Sequence, residues 1–116
     1  MHSNLAGVLQ FYNKSNKEAS EKFILYLKKY LGKNGVLIIP TYNYEFTKNK
    51  IFNIEKSISE VGFFSNYLIK KNYKRRTLDP IFSHLIFGKI KNFNLKQINS
   101  EAFGNKSLFS YFKKNN

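Results

Sequence analysis

The segment Arg76-Thr77-Leu78-Asp79-Pro80-Ile81-Phe82-Ser83, closed by Gly88, gathers one of two adjacent arginines, the sole aspartate and two hydroxyls into one stretch. An arginine placed there can brace a loop through its planar fork of donors, meet a phosphate, or pair with Asp79 to fix a turn. Asp79 before Pro80 reads first as a turn and capping residue, because proline restricts its predecessor and a short carboxylate bonds nearby backbone amides. Thr77 and Ser83 can bond local backbone or the amide and carbonyl groups of a ligand. Ser59 reads as the N-cap of a helix, with that helix N-terminus facing a ligand as a compatible second use.

The remaining chemistry is sparse. The chain has no cysteine, hence no disulfide framework, no thiolate metal site and no acyl-cysteine intermediate. Its histidines are His2 and His84, and no His or carboxylate cluster has metal-ligand spacing, so a metal mechanism is not expected. Glu45, just after a predicted strand, reads as a solvated side chain or as a contact for a cationic acceptor.

Taken with four other segments, the Arg76–Gly88 element resembles the aminoglycoside 3-N-acetyltransferase family, whose pattern is Arg-Ser/Thr-x-His/Asp-Pro-x-x-Ser followed by Gly. Met1-His2-Ser3-Asn4-Leu5 is similar to the family's His-Ser strand end, and Gly35-Val36-Leu37-Ile38-Ile39-Pro40-Thr41-Tyr42 to its Gly-Thr-Leu-x-x-Pro-Thr. Ser59-Glu60-Val61-Gly62 resembles the end of Thr-Pro-Ser-x-x-Gly, and Phe103-Gly104-Asn105-Lys106-Ser107 resembles Phe-Gly-x-x-Ser. The resemblance implies an α/β fold, a three-layer α/β/α arrangement with a mixed central sheet, of which residues 1–116 form a partial domain incomplete at the C-terminal side.

It also implies acetyl-CoA as acyl donor, an amino sugar or aminoglycoside amine as acceptor, and direct transfer through a ternary complex. Ser3, Ser59, Arg76, Thr77 and Ser83 fall on its acyl-CoA-binding positions. The general base is expected beyond Asn116, so a truncated chain without activity of its own is expected, with His2 holding a strand end and His84 structural or at the surface. Three departures matter: Ser57-Ile58 replace Thr-Pro, and Asp79 and Phe82 stand where many members have histidines. The aspartate form resembles members associated with surface polysaccharide, which moves the expected acceptor from antibiotic toward sugar.

The elements that must position these residues are legible in outline. Ser15 and Glu18 have capping-box spacing, and Ala19, Phe23, Tyr26, Leu27, Tyr30 and Leu31 recur at helical intervals up to a stop at Gly32. Val36 to Ile39 reads as a buried strand ended by Pro40, which places Thr41 to Glu45 near a pocket. Thr47 to Lys56 reads as a loop anchored by Ile51, Phe52 and Ile54. A capping box at Ser57 and Glu60 predicts a second helix with Val61, Phe64, Tyr67 and Leu68 inward and Gly62 in its first turn. Leu85 to Phe87 reads as a strand closed by Gly88, Lys89 to Asn99 as an edge strand with Phe93 and Leu95, and Ser107 as the cap of a last helix carrying Leu108, Tyr111 and Phe112.

With 42% hydrophobic and 17% aromatic residues in 116, the chain is too apolar to stay disordered and suits one domain. Its formal charge of +13 signals attraction to phosphate or polyanions, and a small basic nucleic-acid-binding protein is the alternative function. The lysines, however, are dispersed among Asn, Ile, Phe and Tyr as A/T-rich coding would produce, and the aromatics fall at core-like helical spacings. Nucleic acid is therefore the lesser expectation. Without a basic segment leading into an apolar run, or any run long enough to span a bilayer, a cytoplasmic chain with no membrane partner is expected.

Overall fold

A computed structural model describes residues 15–90 and 102–115. Ser3 and the expected edge strand with Phe93 and Leu95 lie outside the described residues. The described part is mixed α/β: four helices, one 3-10 turn and a two-stranded antiparallel sheet.

Helix α1, Asn16–Leu31, begins where the Ser15 hydroxyl accepts from the Glu18 N–H at 3.3 Å. It ends at Gly32, whose N–H returns to the Lys28 carbonyl at 3.2 Å, with Lys28 and Lys29 favourably placed against the helix dipole. Its inner face is Ala19, Ser20 and Ile24, flanked by Phe23, Leu27 and Leu31. Tyr26 and Tyr30, expected on that stripe, are instead 63% and 78% exposed and stack on each other. At about 100° per residue Tyr30 lies about 90° and Tyr26 about 130° from the direction midway between Ile24 and Leu27, well off the centre of the buried face. Ser20 takes an inward place because its hydroxyl donates to the Asn16 carbonyl at 2.8 Å.

Strand β1, Leu37–Pro40, pairs antiparallel with β2, His84–Phe87, in the register Leu37 to Phe87 and Pro40 to His84. Pro40 is the last residue of the strand, and its missing N–H costs no bond to β2 because that position faces away from it. The ladder runs on past it, with the Thr41 N–H to the Ser83 carbonyl at 2.8 Å and Asn43 N–H to Ile81 carbonyl at 2.9 Å. On the other side of β2, Arg76 bridges Leu85 and the Thr77 N–H donates to the His84 carbonyl at 2.8 Å. Every residue of β2 is therefore buried.

Leu37, Ile39, Leu85 and Phe87 share one sheet face and form the core with Ile24 of α1 and Phe64, Leu68 and Ile69 of helix α3, Phe63–Asn72. His84 lies on the opposite face, where its ring meets Phe109 of helix α4, Leu108–Asn115. Helix α4 is capped by the Ser107 hydroxyl, which accepts from the Ser110 N–H at 3.1 Å.

Two local expectations are corrected. The stretch expected to be a loop contains a one-turn helix α2, Phe46–Asn49, started by the Asn43 side-chain oxygen accepting from the Phe46 N–H. Helix α3 does not start at a Ser57–Glu60 capping box; its N-cap is Gly62, at φ 128, a backbone that side chains rarely adopt. The Glu60 carboxylate is drawn away to the backbone N–H groups of Tyr44 and Glu45, and the Ser57 hydroxyl accepts from the Asn53 N–H. Asn66 instead ties the helix entrance, bonding both the N–H and the carbonyl of Ser59 at 2.7 Å and the Gly62 carbonyl at 3.0 Å.

Candidate functional site

The β1 exit, the Asn53–Ser59 loop and the Arg76–Ser83 segment converge on one side chain. Arg76 is 1% exposed, and its guanidinium is enclosed by oxygens. Its Nε donates to the hydroxyls of Thr41 at 3.2 Å and Ser83 at 3.0 Å. Its Nη1 donates to the carbonyls of Ser57 at 2.7 Å and Ile54 at 3.3 Å, and its Nη2 to the Thr41 carbonyl at 2.9 Å. The plane stacks on Phe52, with 4.9 Å from Cζ to the ring centroid.

Ser83 and Thr41 complete the node. The Ser83 hydroxyl donates to the Thr41 carbonyl at 2.8 Å, which leaves Thr41 Oγ1 as the donor across their 3.0 Å contact. Thr77, also buried, receives the His84 N–H on its hydroxyl at 2.9 Å and so locks the start of β2. Asp79 does not pair with Arg76; its Oδ1 accepts from the N–H groups of Ile81 and Phe82 at 2.9 and 2.7 Å, the turn geometry that a carboxylate before proline favours. That turn aims Ser83 into the node and Phe82 outward onto Tyr42.

No carboxylate among the described residues pairs with Arg76, and burial alone pushes its pKa down to about 10. It remains a cation at neutral pH, held by neutral oxygens. Such a node fixes three chain segments relative to one another, which is the bracing role among the alternatives for Arg76. Thr41 was foreshadowed by its place at the strand exit. The Ser57 and Ile54 carbonyls carried no signal, since every residue has one.

Around the node, Tyr42 donates or accepts at the Nε2 of His84 over 3.2 Å, and burial, then the nearby Tyr44 and Asp79, raise its pKa above the ordinary tyrosine value. Tyr42, Phe82, His84, Phe103 and Phe109 form a continuous run of ring contacts between 5.1 and 5.7 Å. Phe103 is 74% exposed, so this wall opens to solvent. On the other flank lies an open groove of about 640 Å³ lined by both acidic and basic side chains, Glu45, Glu60 and Lys56, with Asn43, Asn49, Asn53, Ser57, Ile51 and Ile58.

Of the sequence-derived site residues, Arg76, Thr77 and Ser83 are brought together, with Thr41 added to them. Ser59 is buried one step away, its hydroxyl accepting from the Val61 N–H at 3.2 Å rather than capping α3. Among the described residues no group of three His, Cys, Asp or Glu is arranged to hold a metal, and no helix is long and apolar enough to cross a membrane. The chain matches no family model, no curated protein and no solved structure.

Proposed function

We propose that the chain forms the acyl-donor wall of an acetyl-CoA-dependent N-acetyltransferase of the aminoglycoside 3-N-acetyltransferase type, acting in the cytoplasm on an amino sugar or aminoglycoside amine. One observation carries the reading: segments that resemble the family in separate parts of the sequence meet at the Arg76 node. Thr41 from the Pro-Thr segment and Arg76 with Ser83 from the Arg-Thr-x-Asp-Pro-x-x-Ser segment share one hydrogen-bond network, joined by the carbonyl of Ser57, a residue that itself departs from the pattern ahead of Ser59.

In this reading Arg76, Thr77 and Ser83 act by holding the loops that receive the pantetheine amides and the thioester carbonyl, with Ser59 at the same wall; Ser3, outside the described residues, is included on the resemblance alone. Helices α1 and α3 on one sheet face and the α4 contact on the other belong, in this reading, to a three-layer α/β/α unit with a mixed central sheet, of which the antiparallel pair β1–β2 is one part. The groove beside the node offers a sugar the amides of Asn43, Asn49 and Asn53, and its Glu45 and Glu60 carboxylates are partly offset by Lys56 on the lining and by Lys48 paired with Glu45. The sole histidine among the described residues, His84, is buried between Tyr42 and Phe109, so the wall is assigned to donor binding and not to proton removal. Titrating acetyl-CoA into the protein by calorimetry tests the reading; one-to-one binding supports it, and absence of binding at millimolar donor rejects it.

A second reading rests on the stacked, exposed Tyr26 and Tyr30 on lysine-rich α1, a platform of the kind on which single-stranded bases stack. It requires steeply salt-dependent oligonucleotide binding that falls in Tyr26→Ala. If no oligonucleotide binds at low salt, the second reading is discarded.

A further inference from the structure

At the end of the sheet opposite the Arg76 node, where Leu37 pairs with Phe87, lies a notch of about 160 Å³. Its walls come from the end of α1, the turn that follows it, and the 3-10 turn Tyr73–Arg75 after α3. Lys28, Lys33 and Arg75 line it, all with exposed side chains, and no carboxylate does. The ion pairs found among the described residues, Lys48 with Glu45 and Lys71 with Glu21, involve none of the three.

Lys28 Nζ stands 4.8 Å and Arg75 Cζ 5.6 Å from the centroid of the same Phe87 ring, so the fold holds two cations against one side chain. The carbonyl end of α1 carries about half a negative charge and attracts Lys28, but it cannot balance three cations. Gly88, at φ 110, brings its backbone so close to Gly35 that an added Cβ would stand 2.5 Å from the Gly35 carbonyl oxygen. Besides the three cations the notch is lined by these glycines, with Gly32, and by Leu31, Leu37 and Phe87.

We propose that this notch binds a phosphate or diphosphate group, with Lys28, Lys33 and Arg75 donating to its oxygens. A cavity of about 150 Å³ is enough for one benzene ring, so a phosphate fits while a nucleoside would stay outside. The phosphate can be free in solution or be the terminus of a coenzyme, and the site stands independently of the acetyltransferase reading.

The test follows backbone amide NMR shifts while inorganic pyrophosphate, and separately coenzyme A, is titrated into the protein at low salt. Saturable shifts at Lys28, Gly32 to Gly35, Arg75 and Gly88 are expected. Lys33→Gln with Arg75→Gln should weaken pyrophosphate by about tenfold or more. Lys56→Gln with Lys106→Gln, an equal loss of charge elsewhere, should leave it unchanged. Lys33→Gln alone touches no aromatic ring contact and keeps the test open if the double variant folds poorly. Coenzyme A binding more tightly than pyrophosphate identifies a coenzyme as the source, and equal affinity identifies free phosphate. Equal weakening by both double variants, or unsaturated shifts spread over the lysines, overturns the site. Pyrophosphate bound at the notch with no acetyl-CoA effect at the β1 exit would reject the acetyltransferase reading and leave this one standing.

Discussion

Replacing Arg76 by Met separates the brace from the burden of its charge. Burial takes the guanidinium pKa down to about 10, a shift equivalent to about 3 kcal/mol against the charged form. Its bonds oppose this, since each hydrogen bond from a charged donor contributes about 1.5–3 kcal/mol. The guanidinium serves the carbonyls of Thr41, Ser57 and Ile54 and the hydroxyls of Thr41 and Ser83. The two hydroxyls keep each other as partners and the Thr41 carbonyl keeps the Ser83 hydroxyl, while the Ser57 and Ile54 carbonyls lose the donor that Arg76 gives them. The net expected loss for Arg76→Met or Arg76→Ala is about 3–5 kcal/mol. Urea unfolding followed by circular dichroism should then show the midpoint lowered by about 2 M at a typical slope. Arg76→Lys should recover less than half, because one ammonium cannot span carbonyls on both sides of the cage. A methionine variant as stable as the parent would refute the reasoning, because it would mean that desolvation outweighs the bonds.

Gly88→Ala combines a φ of 110 with a clash against the Gly35 carbonyl and should cost about 3 kcal/mol or more, measurable by the same unfolding curves; a neutral result would contradict the close approach. Asn66→Ala removes the ties to Ser59 and Gly62 and should cost about 2 kcal/mol, with faster amide exchange at Ser59 as the local signature. Glu21 is held below its ordinary value of 4.5, first by the Tyr67 hydroxyl and then by Lys71. A depressed carboxylate pKa gives stability that is present above the unfolded value and lost as pH falls through the folded one. Carboxyl NMR titration of Tyr67→Phe should therefore find the Glu21 pKa raised toward normal, and an unchanged value would reject the assignment.

Features set by neighbouring residues were legible in the chain. The Ser15 cap, the Gly32 stop, the Ser107 cap and the Asp79-Pro80 turn each depend on residues within a few positions, and Gly88 does close β2. The start of α3 was not legible, because Glu60 is captured by amides 15 and 16 residues away. The tyrosines of α1 were misplaced because a list of apolar residues at three- and four-residue steps widens into a band that runs past the buried face, and buried Ser20 carries no apolar signal. At the site, Arg76, Thr77 and Ser83 stood out by type and spacing. What Arg76 does was hidden, since its partners lie up to 35 residues away and three of them are main-chain carbonyls.

The acyl-donor reading is tested most directly by amide NMR of the protein during an acetyl-CoA titration, repeated with the Lys33→Gln, Arg75→Gln variant to remove any phosphate contribution at the distant notch. Saturable one-to-one shifts at Thr41 to Glu45, Ser59 and Thr77 to Ser83, retained in the variant, are predicted. Shifts confined to lysine-rich surfaces, or none at millimolar acetyl-CoA, would contradict the account.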